Sequence, residues 1–317
     1  MSYNFIPITE EEKEYWFRAE MNKRQFAALS HRLQHSDIEN EILNNPYYKK
    51  VSKSGNYSNI EVVQWLKNSW NTESILHQNK EIVGNTNQAF CMQWAFPQAY
   101  YAVFGSILGM FKTIGFTETS HSAVLKKYIS LMVEKKLPQS IGICCDGIEK
   151  DYDYLNITFP DVENHMELDL DNPETIDNHI CQFLRATRRL RLKEKAPQMN
   201  FRTKTGAKRK NLEKEHWRKV SQSIGPTGIL DFLYRKRIKG NYQDIETYNT
   251  PYFDGKNVLE NLISIVDRLN LVNEAYIVKA MGFQEFYDIA QNHIRKVQNH
   301  LLEGRLETLE TIDKVSR

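Results

Sequence analysis

The sequence predicts a mainly α-helical protein with a charged, loop-rich insert that holds a small β element. Three observations carry this. Long stretches at both ends place apolar residues at helical spacing. The paired β-prone runs flank one Asp-Gly step, Asp146-Gly147. Between the two helical parts the charges separate into blocks of opposite sign. The expected organisation is a helical region over 1–84, a helical bundle from 85–136 with 226–317, and the insert over 137–225.

The elements follow in order. "ITEEEKEYWFRAEMNKRQFAALSHRL" reads as a helix capped by Thr9, with Glu11 and Glu12 in its first turn and apolar positions at Tyr15, Trp16, Phe26 and Leu29. "SKSGNYS" reads as a loop, and "SNIEVVQWLKNSWN" as a second helix capped by Ser58. Residues 85–116 are the most apolar part and read as a buried helix, or two kinked at Pro97. "TETSHSAVLKKYISLMVEKK" restarts a helix from Thr119 or Ser120. "SIGICCDGIEKDYDYLNITF" reads as a hairpin turning at Asp146-Gly147. A helix follows from Pro173, with the stripe Ile176, Ile180, Phe183 and Leu184 giving way to arginines. "APQMNFRTKTGAKRK" reads as a mobile loop, and a further helix starts at Thr227. Two amphipathic helices close the chain, the first ending near Gly282.

Composition narrows the function. With 317 residues, 41% hydrophobic and 26% charged, the chain has the balance of a globular protein. No apolar run is long enough for a membrane span, and the N-terminus lacks the basic-then-apolar layout of a secretory signal. The four cysteines form no C-x-x-C pair, which suits reduced thiols in a cytoplasmic protein. The nine histidines form no H-E-x-x-H or H-x-H cluster, so no metal and no cofactor is expected. Phosphate-binding glycine loops and a G-x-S-x-G elbow are also missing.

The net charge of +2 conceals the segregation. From Asp146 to Asp177 eleven acidic residues face Lys150 alone. From Asn178 to Lys219 fourteen Lys and Arg face three glutamates. Such blocks serve a polyanion and a basic partner, or pack on each other. Arg185, Arg188, Arg189, Arg191, Arg202, Lys204, Lys208, Arg209 and Lys210 are the candidate nucleic-acid contacts, with Trp217 as a stacking ring.

The stretch "RKRIKGNYQD" at 235–244 holds the second set of candidates. At about 100° per residue, Leu230, Leu233, Arg237 and Asn241 share a stripe, and Arg235 faces solvent. A guanidinium at the rim of an apolar stripe needs an anion. That anion is an internal carboxylate, such as Asp244, or a phosphate gripped by the planar fork. Gly240 suggests a close backbone approach, a bend or a helix end. Arg237, Lys239, Asn241 and Tyr242 are the candidate catalytic residues, with His121 as a substitute base.

Two pieces of the chain, "QAYYAVFGSILGMFKTIGFTETSHSAVLKKYI" and "LYRKRIKGNYQD", resemble the HEPN superfamily of helical-bundle proteins. The second is similar to the helix that carries the family's Arg-x4-6-His motif, with Tyr242 where the motif has His. The resemblance implies a metal-independent endoribonuclease or a degenerate relative, in a toxin or anti-phage defence setting. It also implies a homodimer whose motifs face one another, and RNA as partner, tRNA or other structured RNA among the candidates. The alternative is a non-enzymatic subunit that docks a partner protein of the same system through its charged insert.

Overall fold

The computed structural model describes residues 9–52, 59–85, 91–160, 167–209, 211–242, 253–297 and 301–316. Side chains of 82–85, 240–242, 297 and 301 fall outside the description. The chain is mainly α-helical, with one small antiparallel sheet.

Helix α1 (Glu10–Gln34) starts with a full capping box: Glu12 N–H donates to Thr9 Oγ1, and Thr9 N–H donates to the Glu12 carboxylate. Its second half is buried through Phe26, Leu29 and Leu33, whereas Trp16 and Phe17 remain exposed. Two short helices follow, α2 (Ile38–Asn44) and α3 (Pro46–Lys50). The latter is set by Asn45 as cap and Pro46 as first residue. Helix α4 (Asn59–Asn85) packs along α5 (Met92–Thr113). The expected cap Ser58 lies outside the described residues, as does most of the "SKSGNYS" loop.

Helix α5 runs unbroken through Pro97 and is the axis of the bundle. Gly105 permits its closest approach: a Cβ there would stand 3.1 Å from the Ser69 side chain and 3.2 Å from its backbone. Helix α6 (His121–Val133) is capped by Ser120.

The hairpin forms, with its turn displaced from the expected place. Strand β1 (Cys144–Ile148) pairs with β2 (Asp151–Leu155), and Ile148 opposite Asp151 leaves Glu149 and Lys150 as the loop. Gly147 sits inside the ladder opposite Tyr152. Its φ of +82° and a hypothetical Cβ 2.0 Å from the Asp151 carbonyl oxygen explain the glycine.

Helix α7 (Pro173–Lys195) begins at the expected proline, with Asn172 as cap, and a 3₁₀ turn (Ala196–Met199) extends it. The basic loop folds back on itself as a tight hairpin. Arg202 bridges Lys208, and Thr203 N–H donates to Ala207 C=O. Helix α8 (Lys214–Ile224) follows. Thr227–Gly228 forms strand β3, pairing with Cys144 and Cys145, so helix α9 (Ile229–Tyr242) starts two residues later than expected. This third strand also lies beyond the span in which the β element was expected.

Helices α10 (Gly255–Met281), α11 (Phe283–Val297) and α12 (Leu301–Ser316) complete the bundle. α10 packs against α1, α4, α5 and α12. No helix among the described residues is long and apolar enough to cross a membrane.

The core contains a polar ribbon. Arg305 on α12 uses all five N–H donors on three carboxylates: Glu73 at 2.8 Å, Glu274 at 2.9 Å and Asp267 at 3.0 Å. Trp70 Nε1–H donates to Glu274, and Asn270 donates to Glu73. Ser106, Asn273 and Tyr128 continue the chain of hydrogen bonds inward.

Candidate functional site

The arginine blocks divide when each side chain is followed to its partners. Arg188 is fully buried. Its Nε donates to Gly147 C=O at 2.7 Å, and its terminal nitrogens reach Gly225 C=O at 2.8 Å, Ser221 Oγ at 2.7 Å and Asp146 Oδ1 at 2.5 Å. A guanidinium so enclosed meets no phosphate. It ties the hairpin and α8 to α7. Arg191 donates to the carbonyls of Pro226 and Ile224 and lies 3.2 Å from Asp231. The arginine run therefore fails as one polyanion platform, because two of its members hold the fold. Arg185 stacks over Phe159 at 5.0 Å and Tyr152 at 5.5 Å, half-buried. Arg189 is exposed, as are Arg202, Lys204 and Lys208 on the hairpin, while Arg209 is half-buried and pairs with Glu213. Lys210 lies outside the described residues. The two charge blocks meet in part: Asp146 takes Arg188, and Asp151 takes Lys214 at 2.5 Å.

The four cysteines are buried, and none is in a disulfide among the described residues. Burial pushes the Cys144 and Cys145 thiols up to about 12, so neither is a nucleophile at neutral pH. Among the described residues no group of three or more His, Cys, Asp or Glu is placed to hold a metal.

Arg237 has different surroundings. Its guanidinium carbon lies 4.9 Å from the ring centre of Tyr101, 5.4 Å from Tyr234 and 5.5 Å from Tyr100. Among the described residues no carboxylate pairs with it. Asp244, the expected internal partner, lies outside the described residues. Three ring faces attract a cation by their quadrupoles but accept no strong hydrogen bond. Among the described residues the donors of this fork are spent on no carboxylate.

His121 completes the cluster. It opens α6, and its ring packs 4.6 Å from Phe104, 5.5 Å from Tyr100 and 5.7 Å from Tyr234. His121 Nδ1 and the Tyr100 hydroxyl are 2.8 Å apart. Burial lowers the His121 pKa below its ordinary value, and the nearby Arg237 charge lowers it further. The imidazole is therefore neutral at pH 7. Burial raises the Tyr100 pKa, so its hydroxyl keeps its proton. In the tautomer in which Nδ1–H donates to the Tyr100 oxygen, Nε2 is the free acceptor.

Sequence geometry puts Arg235 on a solvent face, and the structure does not. Arg235 is half-buried against α7, where it donates to Thr187 Oγ1 at 3.3 Å. The expectation failed because α7 covers the face that a lone helix would show to water. Lys236 is buried against Asn22 and lies 5.2 Å from the Phe232 ring centre. Lys239 lines a cavity together with Arg235 and Tyr234, and Arg237 is not part of that lining. Helix α9 continues through Gly240 and ends two residues later, at Tyr242. The side chains of Asn241 and Tyr242 lie outside the described residues. Tyr100, Tyr101 and Tyr234 were missed. The adjacent pair in "QAYYAVFG" and the i, i+3 spacing of Tyr234 to Arg237 were the available signals.

Comparison with protein-family models, with curated proteins and with solved structures finds no match.

Proposed function

We propose that the chain engages RNA at the Arg237–His121 cluster and cleaves it without a metal, as an endoribonuclease of the toxin or anti-phage type. One observation carries the reading. A guanidinium ringed by tyrosines, with no carboxylate partner among the described residues, stands beside a neutral histidine. The two segments that resemble the HEPN superfamily supply these two groups, from α6 and α9.

The chemistry needs a proton acceptor and a cation. His121 Nε2 takes the proton of the ribose 2′-hydroxyl, whose oxygen attacks the adjacent phosphorus. Arg237 neutralises charge on the non-bridging oxygens as they become more negative. The 5′-oxygen leaves with a proton from water or from Tyr242, and the products carry a 2′,3′-cyclic phosphate and a 5′-hydroxyl. Tyr101, 36% exposed, offers a face on which a base stacks.

The test is cleavage of total RNA in EDTA. The parent yields discrete fragments with cyclic-phosphate ends, and His121→Ala and Arg237→Ala yield none. Intact RNA with the parent, at any pH between 6 and 8, removes the reading. The partner-docking alternative has less support, because the insert's opposite charges pair with each other at Asp146–Arg188 and Asp151–Lys214.

A further inference from the structure

A cavity of about 340 Å³ opens between α6, α7, α8 and α9, lined by Tyr234 and not by Arg237. Its size is that of a small-molecule site, which begins near 300 Å³. Its lining is two-sided. Leu125, Leu190, Ile224 and Ile238 form an apolar wall. Lys126, Arg191, Lys195, Arg235 and Lys239 supply five cations against the two carboxylates of Glu194 and Asp231. Asp231 and Arg191 lie 3.2 Å apart and neutralise each other, and Asp231 also accepts Gly228 N–H at 2.9 Å, so within the lining Lys126, Lys195, Arg235 and Lys239 face Glu194 alone. The cavity is therefore cationic, with an apolar side and the Tyr234 ring at its edge.

We infer that this cavity is a nucleotide subsite, holding one phosphate on Lys126 and Lys195 and one base against its apolar wall. Two features link it to the Arg237 cluster. Tyr234 borders both, and the first turn of α6 places His121 in the cluster and Ser122 in the cavity. A strand crossing Tyr234 thus puts one nucleotide in the cavity and presents a neighbouring phosphate to Arg237. A nucleotide is the favoured chemistry because the lining asks for a flat apolar group and an anion together; a bare phosphate leaves the wall of leucines and isoleucines uncovered. The inference rests on the RNA reading for its strand form. A free mononucleotide satisfies the same lining.

The experiment measures binding of two probes in EDTA, a labelled single-stranded RNA octamer and adenosine 5′-monophosphate. The proteins are the parent, Lys126→Ala/Lys195→Ala and Arg237→Ala, each checked for a parental melting temperature. Both lysines are on the cavity rim, and neither makes an ion pair among the described residues. The expected result is a loss of about tenfold in octamer affinity for the double variant, with the slope of log K against log salt reduced by roughly 0.7 per lost phosphate contact. Mononucleotide binding that weakens in the double variant while the octamer does not bind the parent supports the subsite for free nucleotides and sinks the RNA reading. An octamer that binds the parent and the double variant equally, with the same salt slope, overturns the subsite. If Arg237→Ala alone then loses it, the RNA reading survives. A parent that binds neither probe overturns both.

Discussion

Arg305 and Arg237 are the same side chain in opposite circumstances. Arg305, on α12, is buried and spends every donor on Glu73, Glu274 and Asp267. Arg237, on α9, lies among three tyrosine rings, without a carboxylate among the described residues. A saturated buried guanidinium is scaffold, since its removal strands the groups it satisfied. An unsaturated one at a rim holds donors in readiness for a ligand. Arg188, with six acceptors from the hairpin, α8 and the segment leading into α9, falls with Arg305, although sequence alone placed it with the nucleic-acid contacts.

The sharpest way to break the comparison is to remove the saturated arginine. Arg305→Ala strands two buried glutamates and is expected to destabilise the fold by roughly 3–5 kcal/mol, read from a denaturant midpoint. A midpoint near the parent's would mean that the triad relaxes into water. Arg188→Ala is expected to cost less, about 2–3 kcal/mol, because half-exposed Asp146 regains water while the Gly147, Gly225 and Cys145 carbonyls lose a donor. Deleting Arg188, Arg189 and Arg191 together is therefore a stability experiment before it is a binding one.

The triad also has a pH signature. One Arg305 charge faces two buried glutamates, and burial, with Glu73 adding to it, lifts Glu274 to about 7. The Glu274 pKa in the folded state is above its unfolded value, so the folded state binds the extra proton between the two values. That contribution is fully present below about 4.5 and is lost as the pH rises through about 7, at no more than about 1.4 kcal/mol per pH unit. Glu274→Gln keeps an acceptor for Trp70 and removes the titration. The stability difference between parent and variant should shift with pH over that window, and a difference independent of pH would contradict the assignment.

Smaller still is the effect at the unsaturated arginine. Arg237→Ala loses cation–π contacts worth about 1 kcal/mol. It also removes one of the two causes that lower the His121 pKa, so NMR titration should find His121 moved part of the way back toward 6.5. Burial, the larger cause, stays. An unmoved His121 would separate the two groups and weaken the site.

The contrast marks what the sequence could and could not disclose. Periodicity and caps located α1, α6 and α7 through Thr9, Ser120 and Pro173, because these signals are local. The hairpin was legible as a pair of strands, but Gly147 was read as its turn although it answers a close approach by the Asp151 carbonyl across the ladder. Arg237 was singled out as a candidate from its place on the stripe of Leu230 and Leu233. The tyrosine cage was not, since Tyr100 and Tyr101 are more than a hundred positions away and only the packing of α5 on α9 brings them together. The roles of Arg188, Arg191 and Arg235 were hidden for the same reason. Charge pattern shows which residues are cationic, and tertiary packing decides whose donors are already spent.

The measurement closest to the central claim is RNA cleavage by Arg237→Ala in EDTA, at a temperature where its circular dichroism matches the folded parent. The account predicts a variant that melts within a few degrees of the parent, as expected for a loss of about 1 kcal/mol, and cuts no RNA. A variant that melts far below the parent, or one that cuts RNA at the parental rate, would place Arg237 with Arg305 and Arg188 in the scaffold.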